Sequence, residues 1–98
     1  MSNALLGQTL ASLRAHRVAA QSRGVDLIGV TGSVARGDSG PESDIDIVYG
    51  VVGRASLFDV GSVLMDLQDD LGRQVDMVDL ACVKPRLRQL MERDLVRA

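Results

Sequence analysis

The sequence predicts an α/β fold in which a small mixed β-sheet is flanked by helices. Strand-like and helix-like runs alternate in the order αβ(α)βαβα, which is typical of a sheet covered by helices. The clearest helical repeat connects two strand-like runs, which favours a parallel pair with a right-handed crossover. A short turn connects the first two strand-like runs and favours an antiparallel relation, so the sheet should be mixed.

Size and composition favour one domain, residues 1–98, and exclude several classes of protein. The net charge of −2 argues against an extended nucleic-acid-binding surface, and no direct nucleic-acid binding is expected. The chain has one cysteine, Cys82, so a disulfide framework is excluded and a cytoplasmic location is expected. No apolar run approaches the about 20 residues of a membrane helix, so no membrane partner is expected.

The first two elements are a helix and a strand. Ser2 or Asn3 can cap the helix, and Gly24 is a natural stop at its end. Apolar residues recur in it at helical spacing, at Leu6, Leu10 and Leu13. Residues 25–31 (VDLIGVT) are rich in β-branched residues and are the predicted first strand.

A short helix and a loop are predicted to lead into the second strand. Ser33 is expected to cap this helix, which should run through Arg36. Residues 38–43 contain Gly-Pro, which is strong turn punctuation, and are expected to form the loop. Residues 44–52 are the predicted second strand.

The second half of the chain predicts a helix, a strand and a final helix. Ser56 is a plausible N-cap and Gly72 a plausible end for a helix whose apolar residues repeat at spacings of three and four: Leu57, Val60, Leu64, Leu67 and Leu71. Residues 74–80 (QVDMVDL) are the predicted third strand. Residues 86–96, after Pro85, should form the last helix with its apolar side inward: Leu87, Leu90, Met91 and Leu95.

Three carboxylates point to a divalent metal ion. Asp44 and Asp46 alternate along a strand, so their side chains point the same way. Asp76 can reach the same edge if its strand is adjacent. Like charges gathered in this way favour a cation, and Mg²⁺ accepts carboxylate oxygens beside substrate phosphates. A solvated strand face is the alternative for the pair, and Asp79 is a rival for the third position, although alternation puts it on the opposite face.

A Gly-Ser pair about a dozen residues upstream is the candidate phosphate-binding element. Gly32 lets the backbone approach a ligand closely, and Ser33 offers a hydroxyl and backbone N–H groups. Arg36 can bind phosphate with its guanidinium, or be a solvated helix residue. Ser43 can orient the loop, assist the acidic cluster or simply form a turn. No pairing of serine or cysteine with histidine supports covalent hydrolase chemistry, and Cys82 is expected to be a small buried or boundary residue.

These segments together resemble a known family. Residues 32–37 (GSVARG), 43–46 (SDID) and 75–78 (VDMV) resemble the DNA polymerase β-like nucleotidyltransferase superfamily, and more narrowly its minimal nucleotidyltransferase family. The resemblance covers about residues 27–80. It implies the nucleotidyltransferase fold and Mg²⁺-dependent transfer of a nucleotide monophosphate from a nucleoside triphosphate to a hydroxyl, with release of pyrophosphate.

The resemblance also implies a role for each site residue. Gly32 and Ser33 would bind the triphosphate, Arg36 would support phosphate binding or catalysis, and Ser43 belongs to the candidate nucleotide-binding set. Asp44 and Asp46 would hold the metal ions. The third carboxylate, Asp76, would complete the metal site and help to activate the acceptor hydroxyl.

The resemblance implies a protein partner as well. Many members of this length are antitoxins encoded beside a HEPN-domain RNase toxin, and they transfer AMP from ATP to a toxin tyrosine, bind the toxin, or both. An adenylyl-transferring antitoxin similar to type VII antitoxins is the expected function. An antitoxin that acts by binding and a transferase acting on a small molecule remain alternatives, and a homodimer remains open.

Overall fold

The computed structural model describes residues 4–98, in which helices pack on a four-stranded β-sheet. The predicted capping by Ser2 or Asn3 lies outside these residues. The elements follow the predicted alternation, with one strand added at the end: α1 Ala4–Ser22, β1 Val25–Thr31, α2 Gly32–Arg36, β2 Ile45–Val51, α3 Leu57–Leu71, β3 Val75–Asp79, a 3-10 turn Leu80–Cys82, α4 Pro85–Asp94 and β4 Val96–Arg97.

The sheet has the strand order β3-β2-β1-β4 and is mixed, as predicted. β1 and β2 are antiparallel, as predicted, and β2 and β3 are parallel and are connected through α3. The register pairs Thr31 with Asp46 and Asp46 with Asp76. Directly paired residues project from the same face of a sheet, so these three side chains lie in one row across three strands.

The main core lies between the sheet and the helices α1 and α3. Ile45 and Ile47 alternate with Asp46 along β2, so they point into this core while Asp46 points to the other face. Leu13 from α1 and Leu67 from α3 are fully buried against them. Because aromatic residues are nearly absent, branched aliphatic side chains fill this layer.

Local signals set the ends of α3. Ser56 Oγ accepts a hydrogen bond from Asp59 N at 3.1 Å, and the Asp59 carboxylate accepts one from Ser56 N at 2.8 Å. This reciprocal capping box lowers the pKa of Asp59. Gly72 ends the helix in the left-handed conformation, with φ of 64°. Both predicted ends are therefore confirmed.

The C-terminal region differs from its prediction. α4 ends at Asp94, so Leu95, predicted to lie on the inward side of this helix, falls outside it. Val96–Arg97 form β4, which pairs with Gly29 and Val30 of β1. Leu87 and Leu90, predicted to point inward, are 53% and 52% exposed. The spacing of apolar residues reveals a stripe along a helix but does not determine whether another layer covers it.

Gly29 permits the pairing of β4. An added Cβ at Gly29 would collide with the carbonyl oxygen of Val96, so we expect Gly29→Ala to displace β4 and cost about 1–3 kcal/mol of unfolding free energy. Urea unfolding measures the cost, and hydrogen exchange of the Ala98 amide, which donates to the Ile28 carbonyl at 3.0 Å, reports the displacement. Gly50→Ala is the matched control, because its Cβ would meet Ile28 Cδ1 at an ordinary 3.6 Å. Unchanged stability and unchanged protection at Ala98 would contradict this prediction.

Within residues 4–98, none of the helices combines sufficient length with sufficient apolar character to span a membrane.

Candidate active site

The sheet register brings two of the predicted carboxylates together. Asp46 in β2 is the register partner of Asp76 in β3, and both project from the face opposite the main core. Asp44 lies one residue before β2, which begins at Ile45 rather than at the predicted residue 44. Asp44 and Asp76 are exposed, and Asp46 is half-buried. The adjacency of the second and third strands, on which the three-carboxylate hypothesis depends, is present.

Asp46 is the carboxylate with the perturbed ionisation. Burial raises the pKa of Asp46, and the negative charges of Asp76 and then Asp44 raise it further. Arg36 lowers the same pKa, but its effect is the smallest of the four. The positive charge of Arg36 therefore offsets the cost of ionising Asp46 only weakly. A bound cation would stabilise the ionised carboxylate.

Gly32 allows the backbone to approach Asp46. Its φ is +75°, a conformation that residues with a Cβ rarely adopt, and an added Cβ would collide with Asp46 Oδ2. The chain therefore turns from β1 into α2 directly beside this carboxylate. Gly32 was predicted to let the backbone approach a ligand, and in the structure its close neighbour is Asp46, one of the predicted metal ligands.

The short helix after Gly32 begins differently from its prediction. α2 spans Gly32–Arg36, with Thr31 rather than Ser33 at the N-cap position. The Thr31 hydroxyl does not cap the helix; it donates a hydrogen bond to the Met91 carbonyl in α4 at 3.0 Å. Thr31 thus connects α4 to the sheet, and Ser33 lies within the first turn of α2, half-buried.

Arg36 is held by two carboxylates rather than simply solvated. Its Nε donates to Asp38 at 3.1 Å, and its NH1 donates to Asp94 at 2.8 Å. Hydrogen bonds to Asp38 and then to Asp94 raise the pKa of Arg36, which keeps the guanidinium charged. Two of the five guanidinium N–H groups are used in this way, and phosphate is a chemically suitable ligand for the others.

Arg73 is a positioning residue that sequence reasoning missed. Its NH2 group donates to the carbonyl of Ser43 at 2.7 Å and to that of Gly40 at 3.1 Å, so it holds the loop that precedes Asp44. The Ser43 hydroxyl accepts a hydrogen bond from Gly40 N at 2.9 Å, which supports its predicted role in ordering this loop. A lone arginine after a helix carries no sequence signal for this contact, because its partners are backbone atoms about 30 residues away.

Asp79 and Cys82 serve local structure. Asp79 accepts a hydrogen bond from Ala81 N at 3.0 Å and so caps the 3-10 turn. The Cys82 thiol contacts the same carboxylate at 3.6 Å, and the charge of Asp79 raises the pKa of this thiol. Cys82 is exposed, so the prediction that it is buried or at the boundary was wrong. The turn leaves the sheet at β3, which is the sheet edge.

The carboxylates suit a hard divalent cation, although the protein alone does not enclose one. Across residues 4–98, no three acidic, histidine or cysteine side chains lie close enough together to form a preformed metal cage. Burial and the negative charges of Asp76 and Asp44 nonetheless raise the pKa of Asp46. Carboxylate oxygens with an uncompensated negative charge fit Mg²⁺, which commonly completes its coordination with water and substrate phosphates.

Comparisons with known proteins agree with this geometry. The profile of the family described as "Polymerase beta, Nucleotidyltransferase" matches residues 15–94. A solved structure described as a minimal nucleotidyltransferase is 34% identical, with a TM-score of 0.71, over 89% of this chain and 93% of that chain. A search of the curated proteins gave no significant match.

Two toxin–antitoxin structures share the fold at lower identity. One, described as a toxin–antitoxin with AMP-PNP, is 23% identical with a TM-score of 0.68, over 93% of this chain and 69% of that chain. The other, described as the toxin–antitoxin MntA-HepT, is 20% identical with a TM-score of 0.60, over 98% of this chain and 70% of that chain. The family match over most of the sequence and the 34% identity to a minimal nucleotidyltransferase show that this chain belongs to the polymerase beta nucleotidyltransferase family.

Proposed function

We propose that this protein is a cytoplasmic, Mg²⁺-dependent nucleotidyltransferase that transfers AMP from ATP to a tyrosine hydroxyl of a partner HEPN-domain toxin, and so acts as an antitoxin. The observation that carries the proposal is the row of Asp46 and Asp76 across paired strands, directly beside the Gly32 turn. Family membership gives this arrangement a chemical interpretation, because acidic residues beside a phosphate-binding turn serve nucleotidyl transfer.

In this proposal, different residues bind the phosphates, hold the metal and accept the proton of the acceptor hydroxyl. Backbone N–H groups at Gly32 and Ser33 bind the phosphates, and the Arg36 guanidinium binds a phosphate oxygen with its remaining N–H groups. Asp44, Asp46 and Asp76 hold the metal. Mg²⁺ held there would supply positive charge against the phosphates and the negative charge that develops in the transition state. Asp76, exposed at the edge strand, accepts the proton of the acceptor hydroxyl.

The proposed reaction is a substitution at the α-phosphorus of ATP. The acceptor oxygen forms a bond to this phosphorus, and the bond to the oxygen that bridges to the β-phosphate breaks. Pyrophosphate leaves with that bond pair, and the hydroxyl proton passes to Asp76. The acceptor keeps AMP as a phosphodiester, with no oxidation or reduction.

Two comparisons support the identity of the substrate and the partner. One structure of the same fold is described with AMP-PNP, an ATP analogue, and two of the structures with this fold are described as toxin–antitoxins. In this proposal the partner supplies the acceptor, which is a tyrosine hydroxyl of the toxin.

Labelled ATP tests the proposal directly. The protein is incubated with Mg²⁺, the product of the neighbouring gene and ATP labelled either at the α-phosphate or at the γ-phosphate. We expect the α-label, and not the γ-label, to become attached to the partner, and mass spectrometry to locate AMP on tyrosine. Transfer of neither label with a folded HEPN partner, or transfer that survives removal of Mg²⁺ by EDTA, would contradict the proposal.

Neutralisation by contact is the second candidate function. Leu57 and Phe58, adjacent at the start of α3, are both 90% exposed, and such apolar side chains suit a protein interface. A binding antitoxin would still protect cells from the toxin when it carries the double substitution Asp44→Asn and Asp46→Asn. Loss of protection by this variant, at equal expression, would favour catalysis over contact.

A further inference from the structure

A cavity of about 320 Å³ lies between α4 and the sheet face that carries the carboxylates. Gly32, Arg36 and Asp46 line the side nearest the candidate phosphate site. The cavity is also lined by four apolar residues, Val78, Leu87, Leu90 and Met91, and by Thr31 and Asp94. We propose that this cavity, the α4 cavity, takes the base and sugar of the nucleoside triphosphate and holds the base by apolar contact; this inference rests on the proposed function.

The position of the α4 cavity favours the nucleoside over the acceptor as its occupant. Two of its lining residues, Gly32 and Arg36, are also candidate phosphate ligands. A nucleotide whose phosphates are bound by these two residues would therefore place its sugar and base in the cavity. Asp44 lines a different cavity, of about 290 Å³, together with the loop that Arg73 holds. Asp76, the proposed proton acceptor for the acceptor hydroxyl, is not among the residues of the described chain that line the α4 cavity.

The size of the α4 cavity and the exposure of its leucines also suit this occupant. Its volume lies at the lower end of the about 300–1,000 Å³ range of small-molecule pockets, enough for a base and sugar whose phosphates remain outside. Leu87 and Leu90 are each about half-exposed on α4. A flat base placed against them would remove this apolar surface from water, which is favourable.

The polar groups that line the cavity already have partners within the protein or roles in the proposed function. The Thr31 hydroxyl already donates to the Met91 carbonyl, and the Asp94 carboxylate already accepts from Arg36. Arg36 and Asp46 serve phosphate and metal in the proposed function. An apolar pocket discriminates weakly between similar ligands, so we expect ATP and GTP to bind with affinities within about tenfold of each other.

The affinity of a double variant for ATP and for inorganic tripolyphosphate tests the proposal. Leu87→Gln together with Leu90→Gln removes the apolar wall without adding charge, and glutamine keeps a good helix propensity. With Mg²⁺ present, we expect the variant to bind ATP about tenfold more weakly than the unmodified protein, a loss of about 1.4 kcal/mol. Inorganic tripolyphosphate, which has no base or sugar, should bind both proteins equally.

The control and the alternative outcomes separate this inference from the proposed function. Leu57→Gln, at a leucine that is 90% exposed on α3, should change neither affinity. If ATP and tripolyphosphate both bind but the double variant weakens neither, the nucleoside lies elsewhere and the inference is wrong. Unchanged ATP affinity with reduced AMP transfer would assign the cavity to the acceptor instead, and also overturns it. If neither compound binds the unmodified protein, the proposed function itself fails.

Discussion

Asp46→Asn is expected to lower the rate of AMP transfer by about a thousandfold. A metal-held carboxylate supports several kcal/mol of transition-state stabilisation, and each 1.36 kcal/mol is a tenfold change in rate. Asp46 is the central member of the row that crosses the sheet, with Thr31 on one side and Asp76 on the other. Its replacement removes a ligand from the middle of the proposed metal site while keeping the size of the side chain.

The same substitution should stabilise the protein when no metal is present. Because folding raises the pKa of Asp46, its ionised form disfavours the folded state. This penalty is complete at pH values above the folded pKa and disappears as the pH falls below the unfolded value of about 4. In EDTA at pH 7, Asp46→Asn is therefore expected to have a higher Tm than the unmodified protein, and the difference should vanish in acid.

Metal binding should reverse that order. Addition of Mg²⁺ is expected to raise the Tm of the unmodified protein and to have little effect on Asp46→Asn, since a ligand stabilises only the state that binds it. Asp69→Asn, at an exposed carboxylate of α3, is the matched control and should behave as the unmodified protein in both assays. Equal Mg²⁺ responses in all three proteins, or full transfer activity in Asp46→Asn, would be inconsistent with the proposed metal site.

Gly32→Ala is expected to cost about 3 kcal/mol of unfolding free energy and to abolish nucleotidyl transfer. The left-handed backbone at this position costs a residue with a Cβ about 1–2 kcal/mol, and overlap with Asp46 Oδ2 adds to it. For a chain of this length the loss corresponds to a fall in Tm of about 15 °C. The domain should remain folded at low temperature, so activity can be measured there.

Gly72→Ala separates backbone strain from the collision with Asp46. Gly72 has a similar positive φ, +64°, but an added Cβ there meets no heavy atom within 4 Å. Its substitution should therefore cost only the backbone term, about 1–2 kcal/mol, and leave transfer unchanged. Equal losses of stability in the two variants, or retained activity in Gly32→Ala, would show that Gly32 does not hold the backbone against Asp46.

The sequence predicted well the features that short-range physics controls. The β-rich run of residues 25–31 coincides with β1, and the Ser56 cap and Gly72 stop of α3 appear as expected. The apolar stripe of α3 was predicted less well, because Leu57 is 90% exposed. Alternation along a strand requires no knowledge of the rest of the fold, so the outward direction of Asp46 relative to Ile45 and Ile47 was also predictable.

Features that depend on distant partners were not predictable in the same way. β4 consists of two residues, and they form a strand only because Gly29 and Val30 lie alongside. Arg36 and Asp94 are 58 positions apart in sequence, and their ion pair forms only because α4 packs against α2. The exposure of Leu87 and Leu90 depends on whether a layer covers α4, which no periodicity encodes.

By itself, the sequence determined the order of helices and strands, the ends of α3, and which acidic and glycine residues were candidates for the site. Only the tertiary structure decided that Asp76 pairs with Asp46, that Gly32 lies against the same carboxylate, and that α4 forms one wall of a cavity beside them. The physical reason is the range of the interactions: helix caps, turns and strand alternation act over a few residues, whereas strand register and helix packing join residues 30 to 60 positions apart.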